Sequence, residues 1–386
     1  MCEKKSKKHY YYLFNGFDFG DIMIKISELH SDRVVDLTTF SIPQCPEQAC
    51  TVSQRVAYLL ADIHERLSAA EAILNSVHQD LPTIIHSAFK DEDRAALLDV
   101  HKTLYNIYEV SLSHPFSPIC IHEHSPWLVT IRHQIELAWL NYELPQIQHQ
   151  LPSLSETKHP KLLCDWFVAQ ANSETEVDKC VLNFLKNSAS VEEFNTFVLA
   201  DAMLNYRFCD ALALAQLHFS ETVKAEIVSN MFEECGNGNS ANSHSRQLTQ
   251  LLLSLGLKRP TLSVWGDDYR PYAGHNLYFF LGLNRKHFFK SIGSLAMPEL
   301  FDPNHNRAVV AGLARLYPDG RVKNDFYASH IETDELHGLR WLSNAIAPIV
   351  RVQPEAGMEL AIGGVLRMSA MRRYNEYLAV KFGLLQ

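Results

Sequence analysis

The chain has 386 residues, and its 44 acidic side chains outnumber 35 scattered basic ones, which argues against a nucleic-acid groove or an anionic membrane surface as its main partner. That length exceeds the usual size of one core and predicts two domains. No apolar run is long enough to span a bilayer, and eight cysteines with neither a CxxC pair nor a framework spacing read as reduced, structural thiols of a cytoplasmic protein.

The opening MCEKKSKKHYYYLFNGFDFGD begins like a signal n-region, but Asn15, Asp18 and Asp21 interrupt any apolar h-region. Cys45 and Cys50 are close, yet without a second pair they do not make a zinc site. Thr51 to Leu81 opens on a capping box, Thr51 with Gln54, and carries Val56, Leu59, Ile63 and Leu67 at helical spacing. Residues 91–112 and 127–144 repeat that pattern. HEH at 122–124, beside Pro126, reads as surface polarity on a loop. PSLSETKHPK, 152–161, has two prolines, small polar residues and no apolar periodicity, and is the best linker. The division expected is 1–161, a helical domain for dimerisation or scaffolding, and 162–386, a second helical bundle. No internal repeat and no alternating strand pattern stands out.

Beyond residue 162 the predicted helices each bring a polar residue onto an apolar face. In 191–217, Phe194, Val198, Asp201 and Phe208 share a face, so Asp201 points inward. In ETVKAEIVSNMFEECGNG, Val223, Ile227, Met231 and Glu234 lie within about 80° of one another while Glu233 turns away. His244 leads the stripe Leu248, Leu251 and Leu255. A helix through NLYFFLGLNRKHFFKSIGSLAMPEL aligns Phe288, Ile292, Leu295 and Glu299, with Pro298 placed to kink or end it just before the acid. GNGNSANS, 236–243, is neither preceded by a strand nor followed by GK[ST]. It reads as a helix C-cap and turn that aims Glu234 and His244 at one place.

FYASHIETDELHGLRW, 326–341, concentrates the argument. At 100° per residue Asp334 falls about 40° and His337 about 20° from His330, while Glu332 and Glu335 fall on the far side. Phe326, Ile331, Leu336, Leu339, Trp341 and Leu342 leave little of this helix for solvent. A lone inward His or Glu is ordinarily a hydrogen-bonded core residue. Four inward carboxylates, Asp201, Glu234, Glu299 and Asp334, are another matter, because burying them unneutralised exceeds a domain's margin of about 5–15 kcal/mol. Two cations would neutralise most of that charge, and mixed carboxylate and imidazole donors without thiolate suit iron or manganese.

The series MFEECGNGNSANSHSRQLTQLLLSLGL, then PEL at 298–300, then FYASHIETDELHGLRW resembles the heme-oxygenase-like diiron oxidases, also described as iron-containing redox enzymes. The resemblance covers roughly 190–386. It implies an all-α, heme-oxygenase-like helical bundle, here with an additional N-terminal helical domain, that holds no heme and binds two Fe(II) ions with O2 as cosubstrate. The ligands it implies are Glu234, His244, Glu299, His330, Asp334 and His337. Where the family's first core helix usually offers a Glu, this sequence has Asp201, a shorter seventh ligand that implies a labile second iron. Ferritin-like bundles need ExxH on each of two helices, and the only ExxH here, Glu156 with His159, lies in the linker.

The resemblance further implies a non-heme diiron oxidase or oxygenase of biosynthesis, acting on a small, often amino-acid-derived substrate. N-oxygenation is slightly favoured over desaturation or oxidative carbon–carbon cleavage, because the N-terminal region weakly resembles the extra domain of members that oxidise nitrogen. No nicotinamide or flavin fingerprint is present, so electrons would come from an external reductant or from the substrate. A homodimer through the apolar N-terminal helices is expected. Arg246, Arg270, Arg307 and Arg340 each qualify equally as a substrate-carboxylate anchor or as a surface charge. Two other classes stand beside the oxidase: a non-catalytic helical binding or scaffold protein, and a metal-dependent hydrolase, which oxygen consumption separates from the first.

Overall fold

The computed structural model describes residues 50–61, 67–217 and 219–385, and among these there is no strand. The opening n-region and Cys45 lie outside the described residues. Thr51 and Gln54 form the expected capping box, with Thr51 N–H donating to Gln54 Oε1 and Gln54 N–H to Thr51 Oγ1, and start α1, Val52–Ala61. α2 is Leu67–Phe89 and α3 Arg94–Leu112, the latter capped by the Asp93 side chain on Ala96 N–H. α4, Pro126–Ile147, follows with proline at its first position, where a missing N–H costs nothing.

The linker segment is structured. Ser153 and Glu156 make a capping box for a short helix α5, Leu154–Thr157, and α6 is Pro160–Ala171. Ser153, one of the small polar residues that read as a linker, is the N-cap, and Ser155 and Thr157 lie within the helix. Next come α7, Glu176–Asn187, and α8, Val191–Asn205. The single helix expected over 191–217 breaks at Tyr206–Arg207, where the Arg207 guanidinium binds Glu109, Asp210 and Leu112 O. α9, Phe208–Leu214, restarts after it, so Phe208 and Asp201 sit on different helices. α10 is Glu221–Glu234 and α11 His244–Ser254.

α12, Tyr269–Leu283, and α13, Phe288–Leu316, are also separate, divided by a 3-10 turn at Arg285–His287. α13 runs unbroken through Pro298 and Pro303, so of the two outcomes expected at Pro298, a kink or an end, the helix does not end there. Proline forfeits an N–H, but its φ fits the helix, and burial of Leu295, Ala296, Met297 and Phe301 on the surrounding turns holds the course. α14 is Asp325–Arg340. A π-helical turn, Trp341–Ile346, then leads into α15, Ala347–Val352, and α16, Ala356–Lys381, completes the chain.

α13 is the axis, packed along α14 on one side and α16 on the other, with α7 also against it. Two glycines let α13 and α16 approach: a Cβ on Gly293 would stand 2.0 Å from Leu360 O, and one on Gly363 1.9 Å from Lys290 O. α12 lies between α16 and α3, so one buried cluster extends from Val52 of α1 to Ala370 of α16. No described helix is long and apolar enough to cross a membrane.

Candidate metal centre

The C-terminus of α10 determines the first group of residues. After Glu234 the chain passes Gly236 at φ +71°, Asn237 at 55° and Gly238 at +82°, a left-handed run that reverses its direction. A 3-10 turn, Ser240–Asn242, then delivers His244 as the first residue of α11. His244 Nδ1 lies 3.0 Å from Glu234 Oε2, close but out of line for a hydrogen bond. His330 of α14 completes the group, its ring 4.1 Å from that of His244 and its Nε2 3.8 Å from Glu234 Oε1. His330 Nδ1 donates to Phe326 O one turn earlier, which fixes the tautomer and leaves Nε2 for the glutamate.

The second group comes from α13 and α14. Glu299, Asp334 and His337 are all buried, and His337 Nδ1 lies 3.3 Å from Glu299 Oε2. Polar neighbours orient them. Asn230 Nδ2 donates to Glu299 Oε1 at 2.8 Å, and Asn306 Nδ2 to Asp334 Oδ2 at 3.2 Å. His337 Nε2 is 3.0 Å from Glu233 Oε2, which Arg340 also approaches. Within each group the donor atoms of the three residues lie within 4.8 Å of one another, a spacing that a single ion could bridge.

The electrostatics are those of a site that expects positive charge. Burial opposes ionisation of Glu234, but His244 and His330 overcome it and hold the carboxyl well below its usual range. Burial likewise opposes a charged His330, yet Glu234 and Asp334 push it up to about 10. Asp334 is driven well above the carboxylate range by burial and by the charges of Glu299, Asp302 and Glu234. Protons on His330 and Asp334 thus occupy the place of a cation. The donors are imidazole nitrogen and carboxylate oxygen without thiolate, a set that suits iron.

Residues 195–372, a span that contains all six side chains, match the family described as iron-containing redox enzyme. The match covers a little under half of the chain. The match supports an oxidoreductase, and the all-α structure agrees with a heme-oxygenase-like fold. No curated protein matches the chain.

Of the residues singled out in the sequence, Glu234, His244 and His330 meet in one group and Glu299, Asp334 and His337 in the other. Asp201 stands outside both. Its carboxylate accepts from Tyr327 Oη at 2.7 Å and from Asn205 Nδ2 at 2.9 Å, while lining the same cavity as Glu234, Glu299, His330 and Asp334. Three of the candidate arginines are occupied: Arg270 by Asp268, Arg307 by Glu335 and Arg340 by Glu233.

Two expectations need correction. Glu233 does not turn away, because its long side chain reaches sideways to His337. The outer face of α14 is open to solvent, with Leu336 48% and Leu339 65% exposed. Sequence reasoning also missed Asn230, Asp302 and Asn306. Asn230 and Asn306 could have been found by their helical register, one turn from Glu234 and two turns from Glu299.

Proposed function

We propose that this chain is a non-heme diiron oxidase or oxygenase that uses dioxygen to oxidise a small, amino-acid-derived substrate. The observation that carries the reading is the gathering of six side chains from four helices into two His/carboxylate groups, four of whose members line one cavity of about 100 Å3. Glu234, His244 and His330 would hold one iron, Glu299, Asp334 and His337 the other, with Asp201 as a further carboxylate beside them. When bound, the irons supply Lewis-acid and redox chemistry toward dioxygen.

The chain's own residues do the rest. Phe208, Trp265, Phe301 and Phe326 line the cavity and exclude water from it. Asn230 and Asn306 hold the carboxylates of Glu299 and Asp334 in place. Asp302, raised to about 7 chiefly by burial, keeps a proton available on its carboxyl near neutral pH. N-oxygenation is slightly favoured over desaturation or carbon–carbon cleavage, by analogy alone. Electrons come from a separate reductant or from the substrate.

The test is an anaerobic Fe(II) titration followed by a pulse of dioxygen, read by stopped-flow absorbance on the wild type and on His330→Ala. Two irons per chain and a transient visible band that His330→Ala abolishes support the reading. No iron uptake and no oxygen-dependent band would sink it in favour of a binding protein. Metal uptake without oxygen consumption would favour a hydrolase.

A further inference from the structure

The cavity has a second polar wall, remote in sequence from the six residues above. Arg367 of α16 is only 7% exposed, and its guanidinium stacks over the Tyr278 ring at 4.5 Å. Nη1 donates to Gly274 O at 3.1 Å, but Nε has no hydrogen-bond partner. Among the described residues no carboxylate lies within ion-pairing distance of it; Asp302, across the cavity lining, feels its charge without forming a pair. Two more buried polar atoms on this wall lack partners. They are the Tyr374 hydroxyl, two turns beyond Arg367 on the same face of α16, and Nδ1 of His275 on α12, a residue 2% exposed.

Buried polar groups in folded proteins are almost always satisfied, and an unpaired buried cation is the costliest exception. Three such groups on one cavity wall describe a seat for an acceptor. The guanidinium edge that carries Nε has no partner in the protein while the Nη1 side is committed to the backbone, and an uncommitted guanidinium edge matches the two parallel oxygens of a carboxylate. The Tyr374 hydroxyl, and His275 in the tautomer that protonates Nδ1, suit the remaining lone pairs of the same group.

We propose that Arg367, with Tyr374 and His275, binds the carboxylate of the substrate, and so leaves the rest of a small molecule in the space bordered by Glu234, Glu299, His330 and Asp334. These are binding residues. The inference deepens the oxidase reading and rests on it for what becomes of the substrate, but the anion seat can be tested without turnover.

The experiment is calorimetric titration of the full chain, metal-free and Fe(II)-loaded under anaerobic conditions, with short aliphatic carboxylates from propionate to hexanoate, each beside its primary amide. Carboxylates should bind about tenfold or more tightly than their amides in both metal states, as expected for a hydrogen-bonded charge. Arg367→Met should bring them to the amide level. Tyr374→Phe removes a hydroxyl that nothing in the protein satisfies, so it should raise the Tm of the ligand-free chain while weakening carboxylate binding severalfold; this variant carries the test if Arg367→Met does not fold. Equal binding of acid and amide, binding that appears only with iron and ignores Arg367, or no binding by any carboxylate overturns the proposal. Loss of iron uptake with carboxylate binding intact would instead overturn the diiron reading and leave the seat standing.

Discussion

Glu234 and His244 come to 3.0 Å of each other although nine residues separate them in the chain. No helix spans that interval. The contact is made by a reversal at Gly236, Asn237 and Gly238, all in the left-handed region, so one half of the metal centre depends on backbone that few residue types can adopt.

Gly236→Ala should therefore be costly. Besides its φ, an added Cβ would stand 2.3 Å from Asn239 O and 2.6 Å from Ser243 N, backbone atoms that cannot swing aside. We expect a loss of at least about 2 kcal/mol in urea denaturation, together with weakened metal uptake by Glu234, His244 and His330. Gly238→Ala is the control. Its Cβ would meet only the Phe232 ring at 3.4 Å, so strain of about 1 kcal/mol is all that should appear.

The two groups share no residue, so their metals should be separable. His244→Ala and His337→Ala should each leave about one iron per chain, and the double variant none, measured by metal analysis after anaerobic loading and desalting. Complete loss of iron in either single variant would show that neither group binds alone.

Asp334→Asn should raise the stability of the metal-free protein. The carboxyl is buried among the charges of Glu299, Asp302 and Glu234, so an amide of the same shape relieves a repulsion and still fits beside Asn306. A gain of about 1–3 kcal/mol is expected in chelator. Added Fe(II) should raise the Tm of the wild type more than that of the variant, which keeps only the Glu234, His244 and His330 group intact.

Acid sensitivity has a source far from the metal centre. His101, 1% exposed and stacked on Tyr269, is lowered to about 3, first by burial and then by Arg373, from an ordinary 6.5. Below pH 6.5 the unfolded chain takes up a proton that the folded chain refuses, so stability is present above 6.5 and falls as the pH drops toward 3. At pH 5 the loss is about 2 kcal/mol. His101→Phe keeps the ring and should flatten the acid limb of a plot of urea midpoint against pH.

The helical period carried the sequence reading furthest where a helix is long and one-sided. His330, Asp334 and His337 share one face of α14 by arithmetic alone, and Glu299 keeps its register because α13 does not stop at Pro298. What period could not show is where a helix ends without a breaker. The apolar spacing runs straight across Tyr206–Arg207 and Asn284–His287, and the breaks there are made by long-range partners of Arg207 and by a 3-10 turn. Nor could it show Arg367. Its helix is apolar on several faces, and the missing partner that makes the residue informative is a property of the assembled cavity. Glu233 was misread for a related reason, since an angular wheel ignores the reach of a long side chain.

The α13–α16 crossing reaches beyond this one chain. With Leu360 O 2.0 Å from any Cβ at position 293 and Lys290 O 1.9 Å from any at 363, both positions must remain glycine in every descendant sequence that keeps the crossing. Metal-binding side chains can be exchanged for other donors as chemistry diverges, but this pair of contacts offers selection no substitute. Gly293 and Gly363 are therefore the positions by which distant kin of this protein should be recognised, even among those in which the six His and carboxylate donors have been replaced.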